Sequence, residues 1–206
     1  MRKSKMILLV LCVTLMLLSG CGQQKAPTTT DVTTISISQD GEITYYLTEE
    51  FDKEYYDINE LKDMALQEVT DYNARSGSEQ AVTVEKVGLT EDGKKAVVTY
   101  SLLNAETFRD FTDAFLEYDT VENARLSGYL KDGMSFYGKD GKFDINQDIF
   151  LIYARNHVII ADAESVIYPP YKVMYYSEGV TIREDGSIDP VAPADKNQKI
   201  VLILKK

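Results

Sequence analysis

The sequence contains no tryptophan, one histidine and two cysteines among its 206 residues. This shortage excludes a zinc finger, which needs several histidine or cysteine ligands, and a scaffold held by several disulfides. Lysine and arginine total 22 against 33 aspartates and glutamates, which gives a formal net charge of −11. Because nucleic-acid binding depends on clustered basic side chains, this balance argues against a nucleic-acid partner. The length and the 44% hydrophobic content predict one globular domain.

The N-terminus lacks an apolar run long enough to cross a membrane, which takes about 20 residues. Its apolar run, Met6 to Leu18, has 13 residues and follows the basic residues Arg2, Lys3 and Lys5. A basic start followed by a short apolar run is typical of a secretory signal peptide. Two alternatives are a plain signal peptide followed by an incidental cysteine and an uncleaved anchor helix.

Residues 18–21 (LSGC), at the end of this run, resemble the lipobox of bacterial lipoproteins. The resemblance implies that residues 1–20 are cleaved and that Cys21 becomes the new N-terminus, with a diacylglyceryl group on its sulfur. Two acyl chains give a stable membrane anchor, whereas one chain binds only marginally. Cleavage would remove three basic residues and Cys12, leaving a net charge of −14 and no cysteine pair. The predicted location is the extracytoplasmic face of the cell membrane, anchored through lipid.

Residues 21–34 are polar and show no apolar periodicity. We interpret them as the lipidated cysteine and a flexible tether. Residues 35–206 then form a single extracytoplasmic domain. Asp-Gly pairs predict tight turns within it, since glycine adopts positive φ freely and aspartate tolerates it. The pairs begin at Asp40, Asp92, Asp132, Asp140 and Asp185.

Alternating apolar residues between these turns predict a mainly antiparallel sheet. One hairpin joins Ala81–Leu89 to Lys95–Leu103, with a bulge near Glu85-Lys86 where the alternation changes phase. Ile200–Leu204 is apolar at every position, which predicts a strand covered on both faces. The other predicted elements are a short helix, Val121–Leu126, and the strands Ile35–Ile37, Ile43–Leu47, Ile149–Ala154, His157–Ala161, Tyr171–Tyr176 and Val180–Arg183.

Two principal helices are predicted beside the sheet. The first begins at Asp57, which has the capping-box spacing to Glu60, and ends at Gly77. The second spans 105–117, with Asn104 as its cap. Their apolar faces consist of Leu61, Met64, Ala65, Val69 and Tyr72 in the first and Phe108, Phe111 and Phe115 in the second. The order of elements predicts an α+β fold, with both helices packed on one face of the sheet.

Residues with catalytic or metal-binding chemistry are few. Asp144, Asn146 and Asp148 match the first three ligand positions of a calcium-binding loop, but the glycine and glutamate required later in that loop are missing. A surface turn, or a helix N-cap at Asp144, is the alternative. His157 has no cysteine or serine motif beside it, so we interpret it as a surface residue or a residue at a hairpin end. No catalytic residue and no cofactor is predicted.

Three segments resemble a group of small, uncharacterised lipobox-bearing lipoproteins of Gram-positive bacteria: residues 55–63 (YYDINELKD), 68–73 (EVTDYN) and 121–129 (VENARLSGY). The likeness covers most of the mature chain but lies in fold-determining residues. It implies display on the outer face of the cytoplasmic membrane, and it assigns no functional residue other than Cys21.

These observations favour a lipid-anchored binding protein whose partner is a protein, a peptide or an envelope component. Exposed tyrosines, from 14 in the chain, would supply contact area. The alternative is a small-molecule or cation-binding lipoprotein that assists a transporter. A cell-envelope hydrolase comes third, because no nucleophile or metal set is recognisable. Whether the protein is an enzyme stays open, with binding favoured.

Replacing Cys21 with alanine tests the anchor. We expect Cys21→Ala to lose fatty-acid labelling and membrane retention, because the acyl chains have no sulfur to which they can attach. The measurement is incorporation of an alkyne fatty acid, together with fractionation of cells after a high-salt wash. Cys12→Ala is the matched control and should keep the label. Labelling that persists in Cys21→Ala would contradict the lipobox interpretation.

Overall fold

The computed structural model of the chain describes residue 27 and residues 30–190 and 199–205. The predicted signal peptide and Cys21 lie outside the described residues. Within these ranges, 13 strands form two mostly antiparallel sheets with four helices, two of them longer than seven residues. This confirms the α+β fold class. No helix in the described ranges is long and apolar enough to span a membrane.

The elements divide between sheet A, in the order β11-β12-β9-β1-β2-β4-β3, and sheet B, in the order β5-β8-β13-β10-β6-β7. The strands are β1 (Thr34–Ile37), β2 (Ile43–Glu50), β3 (Val82–Leu89), β4 (Lys95–Leu102), β5 (Leu116–Thr120), β6 (Ser135–Gly138), β7 (Gly141–Asp144), β8 (His157–Ala161), β9 (Val166–Tyr168), β10 (Val173–Tyr176), β11 (Val180–Ile182), β12 (Ile188–Pro190) and β13 (Ile200–Leu204). The helices are α1 (Ile58–Ser76), α2 (Ala105–Thr112), α3 (Val121–Leu126) and α4 (Gln147–Ile152).

Sheet A is built from two predicted hairpins and three strands from later in the chain, β9, β11 and β12. β1 pairs antiparallel with β2, β2 with β4, and β4 with β3. The register of β3 against β4 shifts between Val84 and Lys86, which confirms the predicted bulge. In the described part of the chain, the one parallel pair joins β1 to β9, with Thr34 opposite Val166.

The two sheets enclose the first hydrophobic core between them. Val98 and Leu102 of sheet A belong to it, and so do Ile159 and Leu202 of sheet B. The buried faces of α1 and α2 enter the same core, which confirms that the two principal helices share one side of sheet A. The opposite face of sheet B carries a second core, which α3 and α4 cover and to which Phe136 of β6 and Phe143 of β7 contribute.

β13 separates the two cores, because neighbouring residues in a strand point to opposite faces. Ile200, Leu202 and Leu204 enter the first core, while Val201 and Ile203 enter the second. All five are buried. The prediction of a strand covered on both faces is therefore confirmed.

α1 begins and ends where its capping residues predict. The Asp57 side chain accepts a hydrogen bond from the amide of Asn59 at 2.7 Å, and Gly77 ends the helix with φ +72°. The assignment of Met64 to the buried face is wrong, since its side chain is 68% exposed. Ala65, which follows it, is buried as predicted.

α2 ends earlier than predicted. It stops at Thr112, because Asp113 adopts the left-handed conformation with φ +59° and donates its amide hydrogen to the carbonyl of Arg109. Phe115 therefore lies outside the helix, and Leu116 begins β5. An aspartate rather than a glycine takes the left-handed position here, a termination signal that the aromatic spacing does not show.

α4 replaces a predicted strand. Residues 149–154 were expected to be extended, but Gln147–Ile152 is helical. Asn146 caps the helix by accepting a hydrogen bond from the Ile149 amide at 3.0 Å, so the N-cap lies two residues after the one predicted at Asp144. A short apolar run does not distinguish a strand from a helix by periodicity. The Asn146 cap favours the helix over the strand in this segment.

Adjacent residues of α4 test the second core. Phe150 is 2% exposed within that core, and Leu151 is 61% exposed. We expect Phe150→Ala to lower the free energy of unfolding by about 3–5 kcal/mol, because it leaves a cavity. Leu151→Ala should change it by less than about 0.5 kcal/mol. Urea unfolding of both variants measures the difference, and equal midpoints would show that α4 is misplaced.

Candidate functional site

β3 is an edge strand of sheet A, with β4 as its neighbour on one side. The ladder shows which backbone groups face outward. Ala81 and Thr90 bond inward to β4 and its extensions, through the Leu103 amide at 3.1 Å and the Lys95 carbonyl at 2.9 Å. Inward and outward residues alternate, and the bulge changes the phase between the two ends. The N–H and C=O groups of Val84, Val87 and Leu89 therefore point away from the sheet.

Asn73, near the end of α1, closes the first part of this edge. Its Oδ1 accepts a hydrogen bond from the Val82 amide at 3.0 Å, and its Nδ2 donates to the Val82 carbonyl at 2.8 Å. The carboxamide thus takes the place that a peptide group of a neighbouring strand would occupy. It satisfies both outward groups of Val82 and does not reach those of Val84.

The rest of the edge is open. In the described ranges, no hydrogen bond reaches the outward backbone groups of Val84, Val87 or Leu89. The side chains of Glu85 and Lys86 at the bulge are exposed. Unpaired backbone groups along an edge strand are a template on which another strand can add.

A pocket of about 620 Å³ lies on the outer face of sheet A beside this edge. Lys86 and Gly88 of β3 line it, and its floor includes Thr99 of β4 and Tyr46 of β2. A Cβ atom added to Gly88 would meet only the Lys86 Cε, at 3.7 Å, so the row of side chains on β3 has a gap there. The pocket volume falls within the ~300–1,000 Å³ range of small-molecule sites.

The turn between β3 and β4 forms one wall of the pocket and carries negative charge. Asp92 accepts hydrogen bonds from the Thr90 hydroxyl at 2.6 Å and from the Lys94 amide at 3.1 Å. These bonds favour the ionised carboxylate and lower the pKa of Asp92. Asp92 therefore stays charged at the pocket rim at neutral pH.

The N-terminal segment crosses the outer face of sheet A and completes the pocket. The Tyr46 hydroxyl donates to the Pro27 carbonyl at 2.8 Å, and the Lys95 ammonium group donates to the Asp31 carbonyl at 3.0 Å. The described end of the predicted tether is thus bonded to the sheet. Cys21 lies six residues before Pro27, so a lipid group on Cys21 would be attached within about 20 Å of Pro27.

The proposed calcium ligands serve structural roles in the fold. Asp144 ends β7, and its Oδ1 accepts a hydrogen bond from the Ser135 hydroxyl at 2.6 Å. Asn146 caps α4, and Asp148 lies in the first turn of that helix. Among the described residues, no group of three or more His, Cys, Asp and Glu side chains is placed to hold a metal ion.

His157 is the first residue of β8, as predicted, but it is half-buried rather than at the surface. Its ring stacks between Tyr118 and Tyr171, with centroid distances of 4.9 and 5.5 Å. Burial raises the pKa of Tyr118 above its usual value, so its phenol stays protonated at physiological pH. The arrangement is a packed aromatic stack linking β5, β8 and the segment before β10.

The sequence-based candidates did not include the β3 edge, Asn73 or the pocket. Strand order cannot be read from a single sequence, so β3 could not be distinguished from a central strand. One signal was present: charged residues at a bulge are typical of edge strands. Glu85 and Lys86 form such a pair.

Comparison with known proteins adds no functional assignment. No protein-family model, curated protein or solved structure matches the chain. The function is therefore argued from the geometry of the edge, the pocket and the N-terminal segment.

Asn73→Ala tests the closure of the edge. We expect it to lower the free energy of unfolding by about 1–2 kcal/mol, because the Val82 amide and carbonyl both lose their partner. Gln67→Ala is the control on the same helix, since the Gln67 side chain is exposed and donates a hydrogen bond to Asp71 of the same helix. Thermal and urea unfolding measure both variants. If Asn73→Ala is no less stable than Gln67→Ala, the carboxamide does not close the edge.

Proposed function

We propose that the protein is a lipid-anchored extracytoplasmic binding module that holds an extended protein or peptide segment along β3. The observation that carries the proposal is the open row of backbone groups from Val84 to Leu89. Its outward N–H and C=O groups have no hydrogen-bond partner among the described residues, so a further strand could pair with them. The lipobox ending at Cys21 supports the anchor.

Two features suit this edge to strand addition. Main-chain hydrogen bonds would supply affinity, as they do wherever an extended peptide adds to a sheet edge. The gap at Gly88 would let a side chain of the added strand enter the pocket on the outer face. Backbone pairing along β3 and one side-chain pocket beside Gly88 would together fix the register of the added strand against β3.

The pocket also favours a second candidate, the binding of a small molecule. Its volume and its mixture of charged and apolar residues, such as Lys86 and Val97, are compatible with this function. The cation-binding hypothesis gains no support, because no metal-binding cluster is found among the described residues. The hydrolase hypothesis gains none either, because the sequence shows no recognisable nucleophile motif.

Site-specific photocrosslinking in intact cells tests the strand-binding function. A benzoylphenylalanine at Leu89, which is 48% exposed on β3, should form a covalent adduct with the bound segment. The same residue at Ile182, 41% exposed on the opposite edge strand β11, is the matched control and should form none.

A proline variant shows whether backbone pairing produces the adduct. Val87→Pro removes an outward N–H while leaving the bonds to β4, so the adduct at position 89 should fall about tenfold or more, the effect of losing ~1.4 kcal/mol of binding. Ile182→Pro makes the equivalent change on β11, because Arg183 bonds inward to Ser187. An adduct that survives Val87→Pro in a folded protein would contradict strand addition.

A ligand that raises the unfolding midpoint of the wild type and of Val87→Pro alike, with no adduct, would favour the pocket alone.

A further inference from the structure

We infer that the segment held by β3 carries an aromatic residue directly opposite Gly88, in a strand that runs antiparallel to β3. The inference rests on the proposed strand-binding function and names the class of side chain that the site selects. It is argued from the position of Gly88 in the open edge, from the gap that this glycine leaves, and from the position of the Lys86 side chain.

Gly88 lies at the centre of the regular part of the open edge. Val87 and Leu89, on either side of it, direct their N–H and C=O groups outward, whereas the groups of Gly88 point towards β4. In an antiparallel ladder, the residues opposite Val87 and Leu89 would each exchange two hydrogen bonds with β3, and the residue between them would form a non-hydrogen-bonded pair with Gly88. The Cα atoms of such a pair are only about 4.5 Å apart, and the evenly spaced bonds of a parallel ladder offer no pair of this kind.

Asn73 limits the length of the bound segment and leaves this register free. The ladder can run from Leu89 across the bulge to Val84, and it must stop before Val82, whose outward groups Asn73 already binds. Because two residues at a bulge oppose one on the partner, the segment pairs over about five residues. The residue opposite Gly88 is the second of these. None of the five needs a backbone group that Asn73 occupies.

The gap at Gly88 requires a large side chain. Val97 of β4 lies opposite Gly88 in the ladder, and both residues line the outer-face pocket. Neighbouring strands are about 4.8 Å apart, so a side chain of the bound segment must cross two strand spacings, about 10 Å, to reach Val97. A small side chain would leave this surface in water. An aromatic ring would cover the backbone of Gly88 and extend to Val97, as aromatic residues do opposite edge glycines.

Lys86 places a positive charge beside the same gap. Its Cε lies 3.7 Å from the point where a Cβ on Gly88 would be, so the ammonium group is close to the path of the ring. A cation within about 6 Å of a ring centroid is attracted to the face of the ring, most strongly to that of tryptophan. A basic side chain in this place would be repelled by Lys86. An acidic one would be too short to cross the gap and would face the charged Asp92 at the pocket rim.

Synthetic peptides test the inference on the full mature chain, purified in detergent. The first probe is Thr-Val-Trp-Val-Thr-Val-Thr, and the second has alanine in place of tryptophan. The valines continue the face on which Val84 and Val87 pack against the first core. Because the protein contains no tryptophan, a fluorescence shift to shorter wavelength comes from the peptide alone, with micelles without protein as the blank. The tryptophan peptide should give a saturable shift, and the alanine peptide should displace it only at about tenfold higher concentration or more.

Two variants locate the ring. Gly88→Val should weaken binding of the tryptophan peptide about tenfold or more, because its side chain fills the gap. This variant should fold, since the nearest atom to an added Cβ is the end of a flexible side chain at 3.7 Å. Thr181→Val, on the opposite edge strand β11, is the matched control and should bind as the wild type does. Lys86→Met, which keeps the length of the side chain and removes its charge, should weaken the tryptophan peptide about two- to fivefold and leave the alanine peptide unchanged.

Three results would overturn the inference: no shift at millimolar peptide, equal binding of the two peptides, or a Gly88→Val variant that binds the tryptophan peptide as the wild type does. A shift that survives Val87→Pro would overturn it too, because the ring would then occupy the pocket without a paired strand. The proposed function is judged separately. If the adduct at position 89 forms and Val87→Pro abolishes it while the two peptides bind equally, strand binding stands and the aromatic selectivity fails. If neither an adduct nor a shift is found, both fail.

Discussion

Strands β8 and β13 stand between two hydrophobic cores, and the packing of every other layer depends on that position. Each residue of β13 fills one core or the other, and the alternation of β8 does the same with Val158 and Ile160 on one side and Ile159 on the other. Because each core is closed by the same two strands, neither forms without them. Sheet A, α1 and α2 pack on one side of β8 and β13, and α3 and α4 pack on the other.

Local signals in the sequence predicted much of this fold, and long-range pairing accounts for most of what they missed. Asp57, Gly77 and the all-apolar run of β13 are local signals that do not depend on distant residues. The ends of α1 and the burial of β13 on both faces were therefore predicted correctly. The apolar run from Ile149 is too short for its periodicity to identify a helix. The end of α2 was missed because Asp113, and not a glycine, takes the left-handed conformation there. The candidate site depends on strand order, because β3 is an edge only when β4 lies between it and β2.

The two ends of β3 show how one strand can be partly protected and partly available. Asn73 satisfies the outward groups of Val82, where α1 passes close to the sheet. A charged bulge then follows, and charges and bulges normally discourage pairing between edges. The bulge residues Glu85 and Lys86 carry one charge of each sign, so a strand added here would be favoured over others only if its own charges complemented them.

The parallel pair between β1 and β9 sets an order in time for the assembly of sheet A. β1, β2, β3 and β4 precede the other strands in the chain, so their pairing does not have to wait for β9. β9 comes only after β5 and β8 have been made. During that interval the far side of β1 is an open edge, in addition to β3, and a partly made chain is exposed to pairing with its neighbours. Slow pairing of β9 would thus appear first as aggregation of incompletely folded chains, before any loss of stability in the folded protein.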